Sequence, residues 1–167
     1  MKLLAAEHVA VLALTAALAV LVVRRARAVP AWGVAVSRAL AVLILAAFVT
    51  DHIAAAALGE WTLRRYLPLH LSDVAVLVAV AALWEPRPPL VELTYFWGLT
   101  AALQATLTPD IGHGFPSILF FTFFITHAGV VIAALLLVAG PVAFSVVAVG
   151  EWQWPVTGPI LRGFDPP

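Results

Sequence analysis

The chain has 167 residues, 63% of them hydrophobic and only 11% charged, with nine basic and nine acidic residues giving a formal net charge of zero. Soluble domains carry about 25% charged residues, so an ordinary soluble protein is excluded, and the balanced charge gives no case for nucleic acid as a partner. Cysteine is absent, which removes disulfides, thiolate metal sites and cysteine nucleophiles.

Separated apolar runs of roughly 18 residues or more, without strict alternation, predict an all-α polytopic transmembrane helix bundle and not a β-barrel. The first span is expected over residues 5–23, with Glu7 and His8 near its start. No small-residue cleavage site followed by a soluble domain comes after it, so it reads as a retained span and not a signal peptide. Arg24, Arg25 and Arg27 end it, and Pro30 follows as a breaker. The second span is expected over 37–58, a start that lets Arg38 snorkel to the interface and places Asp51 and His52 inside the far half. Trp61 and Tyr66 in the next connection suit a membrane interface.

A third span is expected over 67–84, stopped by Glu85-Pro86-Arg87-Pro88-Pro89, which cannot continue a helix. The fourth covers 90–107, with Glu92 near its entry and Gln104 one turn before its end. Residues 108–117 carry the signals of a turn-rich loop, in which His113 between two glycines is expected to be exposed. The fifth span, 118–139, carries His127 near its middle. Residues 1–141 thus read as one transmembrane domain of five spans. The nine residues 142–150 fall short of the roughly 20 needed to cross, and four prolines break any helix beyond them. The tail 142–167 is therefore expected to lie at the interface or be disordered. This leaves the flank of span five to membrane lipids or to a second copy in a homo-oligomer.

Arginine in the first and third connections outweighs Lys2, Arg64 and Arg65 on the other side. The positive-inside rule then puts the N-terminus outside the cell membrane and the tail in the cytoplasm. Alternating chain direction also aligns the polar residues in depth. His8, Asp51, His52, His70, Ser72, Asp73, Gln104 and Asp110 all fall in one half of the bilayer, with His127 at its floor about 14 Å down at ~1.5 Å per residue. Only Glu92 lies opposite. Ionisable side chains inside a membrane are costly and mark functional sites by default.

His70 and Asp73 stand three apart and share a helical face, so this pair can orient a base, while Ser72 points elsewhere. Ser72 and Asp73 also suit a helix cap. Asp51 and His52 are adjacent and diverge by about 100°, so one of them is expected to face the interior. His127 is the deepest imidazole. The candidate catalytic residues are accordingly Ser72, His70, His127 and Asp73, with Asp51, His52, Gln104 and Asp110 as binding residues. No helix carries two histidines at i,i+3 or i,i+4, so neither a metal nor any other cofactor is expected. There is no G-x-S-x-G, and a hydrolytic Ser72 would need His127 or His52 from another helix as its base.

Leu67-Pro68-Leu69-His70-Leu71-Ser72-Asp73 resembles a block of the YwaF-type bacterial integral membrane proteins. So do Glu92-Leu93-Thr94-Tyr95-Phe96-Trp97-Gly98-Leu99, Gln104-Ala105-Thr106-Leu107-Thr108-Pro109-Asp110, Phe115-Pro116-Ser117 and Phe123-Phe124-Ile125-Thr126-His127. These proteins are similar to the eukaryotic transmembrane protein 164 group, and the resemblance covers residues 61–138. It implies further spans, and for the eukaryotic relatives phospholipid acyl transfer through a cysteine in the block matching 67–73. Here that position is Ser72, so a thioester route is closed. From Gly140 onward the chain departs from the pattern and reads as a truncated or frameshifted end or as a degenerate copy. Three functions compete: a lipid-modifying enzyme acting through Ser72, a carrier or binding protein for a small solute or proton, and an inactive or structural membrane protein.

Overall fold

The computed structural model describes residues 5–67 and 70–139. Among them α1 covers Ala6–Ala28, α2 Pro30–Ala57, the short α3 Leu63–Tyr66, α4 Leu71–Trp84, α5 Pro88–Trp97, α6 Leu103–Leu107 and α7 Ile118–Ala139. A π-helical turn over Gly98–Ala102 joins α5 to α6 without leaving helical backbone, so residues 88–107 run on as one stretch about 30 Å long at ~1.5 Å per residue. No strand occurs among the described residues. The bundle is all-helical, and α1, α2 and α7 are each long and apolar enough to cross a membrane.

The fifth expected span matches α7 to the residue. The others shift for local reasons. Arginine is a good helix former, so α1 continues through Arg24, Arg25 and Arg27 to Ala28. Pro30 does not merely interrupt: it occupies the first turn of α2, where its missing N–H costs nothing, and α2 starts seven residues before Ser37. Arg38 then lies within the helix, with its guanidinium over the Trp84 ring at 5.7 Å. The third span is shorter than expected. α4 begins at Leu71 and is about 21 Å long, because the chain turns out of α3 before it.

α7 is the hub. Of its apolar stretch 67% is buried, against 11% for α1, and α1, α2, α4 and α5 all pack on it. The flank of span five expected to face lipid or a second copy is thus largely covered by the chain itself. The contact layers use small residues: Ala41, Ala79, Ala82, Ala133 and Ala134 are all at most 1% exposed. Between helices in lipid no hydrophobic force acts, so close backbone approach through small side chains supplies the packing attraction. The expected tail 142–167 lies outside the described residues.

Candidate functional site

Three connected concavities lie at the end of the bundle where α2 finishes and α4 begins. The innermost, about 90 Å³, is enclosed by α2, α4, α7 and Tyr66, and its polar lining is Asp51, His52, Asp73, Thr122, Thr126 and His127. One water needs roughly 10–15 Å³ measured this way, so the cavity holds several waters or one small solute. A vestibule of about 250 Å³ shares Asp51, Tyr66 and Phe123 with it and adds Glu60, Asp110 and His113. An outer mouth of about 620 Å³ shares Asp110 with the vestibule and is lined by Thr62, Arg64, His70 and Ser72.

In the innermost cavity the side chains are held from three helices. Asp51 accepts a 2.6 Å hydrogen bond from Thr122 Oγ1, which fixes α2 to α7. Thr126 Oγ1 donates back to the Thr122 carbonyl at 2.7 Å. His127 Nδ1 lies 2.8 Å from the Phe123 carbonyl. A carbonyl only accepts, so Nδ1 carries the proton, and Nε2 holds the lone pair of the neutral ring. The ring stacks on Phe123 with centroids 4.2 Å apart, which sets its direction. No described residue bonds Nε2.

His52 differs. Its Nδ1 faces the Phe48 carbonyl at 2.9 Å and its Nε2 the Tyr66 carbonyl at 3.1 Å. Neither nitrogen offers a lone pair to the cavity, and the ring ties α2 to the end of α3. Phe48 and Tyr66 flank it at 4.6 and 5.7 Å between centroids. Both ring nitrogens of His52 thus face carbonyls, whereas His127 has one such partner.

The expected site residues separate into groups. Asp51, His52, Asp73 and His127 come together. Both members of the adjacent Asp51–His52 pair line the same cavity, because it sits between them: Asp51 reaches toward α7 and His52 toward Tyr66. His70 and Ser72 line the outer mouth, away from His127. His70 is the residue before the helix, with extended backbone (φ −69°, ψ 146°), and among the described residues no hydrogen bond joins its side chain to that of Asp73. Its Nε2–H donates to the Arg64 carbonyl at 3.1 Å. The cap is likewise not Ser72 or Asp73, since the His70 carbonyl accepts the Asp73 and Val74 N–H groups. Gln104 lines none of the three spaces and donates locally to Thr108 Oγ1 at 2.6 Å. His113 is half-buried and not an exposed loop residue, paired with Glu60 at 2.9 Å. Among the described residues no three His, Asp or Glu side chains converge as a metal requires.

Thr122, Thr126, Tyr66 and Glu60 belong to the site and were not legible as such. The spacing of Thr122 and Thr126, four apart on one face of the helix that carries His127, is the one sequence signal that points to them.

Fold and site together define a multi-span helical membrane protein with a cluster of polar side chains near one end of its bundle. The chain belongs to the TMEM164 family, whose model matches residues 3–157. The match extends beyond the stretch 61–138 on both sides and takes in part of the tail that the sequence pattern sets apart. No curated protein and no solved structure matches the chain.

Proposed function

We propose that the chain binds a small polar solute with N–H or O–H donors, or a proton, in the Asp51–Asp73–His127 cavity, with His127 Nε2 as proton acceptor. The observation that carries this reading is the fixed tautomer of His127. Its Nδ1–H is held by the Phe123 carbonyl, so the lone pair of Nε2 is available in a space that also contains two carboxylates. A general base needs that arrangement, and carboxylates favour a donor-rich or cationic guest. At about 90 Å³ the space is far below the 300–1,000 Å³ of drug-sized sites, so the guest is small. Residues 1–141 act as one membrane domain in this reading. The arginine-rich end faces the cytoplasm by the positive-inside rule, and the mouth opens outside.

Thermal unfolding of the full chain in detergent, screened against ammonium, small amines, alcohols and amides, tests it. Saturating solute at 100 times Kd adds about 2.7 kcal/mol to stability. The expected result is stabilisation of the wild type by at least one of these classes, and its loss in His127→Gln and in Asp73→Asn. A solute that stabilises both variants as well as the wild type places binding elsewhere and removes the proposal.

A second reading rests on the outer mouth, where Ser72 and His70 line one concavity with Arg64 and Asp110. With Nε2–H held by Arg64, His70 keeps its Nδ1 lone pair, and lipid acyl transfer or hydrolysis through Ser72 has a base nearby. A fluorophosphonate probe is expected to label the wild type and not Ser72→Ala under this reading. Absence of labelling in the wild type eliminates it.

A further inference from the structure

Apart from the polar cavity, an apolar groove of about 300 Å³ is walled by α1, α2 and α7. Leu14, Leu18 and Val22 of α1 face Leu40 of α2 and Phe124 and Ile132 of α7 across it. Among the described residues Thr15 is the one hydroxyl on its wall, and its Oγ1 is turned back to the Val11 carbonyl at 2.8 Å, so it presents carbon to the groove. From Val11 to Val22 the groove follows α1 for about 16 Å, roughly half the ~30 Å hydrocarbon thickness of a bilayer. With Arg24 marking the interface, that half is the leaflet on the arginine side.

The groove line does not end neutrally. Residues 11, 14, 15, 18 and 22 share one face of α1, and 25 is the next position on it. Arg25 is exposed, and its guanidinium takes part in no hydrogen bond or ion pair among the described residues. Its neighbour Arg27 donates from Nε to the Ala139 carbonyl, and Arg38 is over Trp84. No acidic residue occurs between Glu7 and Asp51. Of the described acids in this half, Glu85 is paired with Arg87 at 2.8 Å and Glu92 is on α5, not on a wall of the groove.

We propose that this groove is a site for one acyl chain of an anionic phospholipid, with the lipid phosphate at Arg25. The length fits one leaflet, the wall has no polar group to satisfy, and the charge at the open end complements a phosphate. Chain and headgroup are bound by different parts of the same helix face, so the two contributions separate experimentally.

The full chain is reconstituted in nanodiscs of phosphatidylcholine carrying trace phosphatidylglycerol or phosphatidylcholine with a diazirine in the acyl chain. After irradiation, adducts are mapped by mass spectrometry. Adducts on residues 11–22 and 120–132 are expected, with phosphatidylglycerol labelling about fivefold more than phosphatidylcholine, from ~1 kcal/mol per basic residue at an anionic surface. Arg25→Gln, an exposed change that leaves the fold intact, is expected to abolish that preference and leave phosphatidylcholine labelling unchanged. Leu18→Trp fills the groove and is expected to cut both several-fold, with circular dichroism confirming retained helix. Equal labelling by the two lipids, or an unchanged preference in Arg25→Gln, overturns the headgroup assignment. Adducts spread evenly around α1, or cross-links from residues 140–167 or a second copy in place of lipid, overturn the site.

Discussion

Gly98→Leu is expected to destabilise the bundle by about 3 kcal/mol or more and to leave little folded protein after detergent extraction. Gly98 is buried in the π-helical turn between α5 and α6, against the middle of α7. A Cβ there meets the Ala134 Cβ at 2.8 Å and the Val130 carbonyl oxygen at 3.2 Å. Neither can rotate away, because one is the whole side chain of a fully buried alanine and the other is backbone. The two helices must separate, and separation removes the close approach that holds small-residue interfaces in lipid together. Gly112→Leu is the control, since a Cβ at Gly112 has nothing within 4 Å. Thermal unfolding monitored by tryptophan fluorescence compares them. Equal midpoints for the two variants would show that α7 does not press on Gly98.

His8→Ala is expected to cost about 3 kcal/mol, while His8→Phe costs about half of that. His8 is fully buried, and its Nε2–H donates to the Thr106 carbonyl at 3.0 Å. Thr106 lies in the last turn of α6, where carbonyls lack an intrahelical donor. The imidazole therefore caps a helix 98 residues away in sequence. Removing it leaves a carbonyl unpaired in a medium that offers no water, at ~1–3 kcal/mol, and opens a cavity as well. Phenylalanine fills the space without restoring the bond, so the difference between the variants isolates packing. Denaturant titration in detergent reads both. Identical stability of His8→Phe and wild type would mean that the bond to Thr106 contributes nothing.

His8 also illustrates how depth was readable and pairing was not. Its position near the start of the first apolar run places it in the polar half of the bilayer, as for Asp51, His52, Asp73 and His127. Depth comes from counting residues along alternating helices, which needs only span boundaries. Whether an imidazole at that depth is a base or a clamp depends on what lies across from it. His8 meets a helix end, His52 meets two carbonyls, and His127 meets one carbonyl and an open cavity. The three rings have the same chemistry and comparable apolar surroundings in the sequence.

The Leu67–Asp73 block shows the same division from the side of local structure. Its polar residues and the apolar run after it announce a helix start. Helical spacing puts His70 and Asp73 three apart, and in the fold His70 lines the outer mouth while Asp73 lines the cavity of His127.

By itself the sequence determined the class of this protein. The all-helical class, the bounds of α7 and the absence of cysteine all come from composition and periodicity. These are properties of single segments, set by the cost of polar backbone and side chains in lipid. Only the tertiary structure decided that Ser72 stands apart from His127, that Asp51 and His52 flank one cavity, and that α7 is the buried hub. Those are relations between segments far apart in the chain. They are fixed by which small residues allow two helices to approach, and that contact leaves no periodic trace in either helix alone.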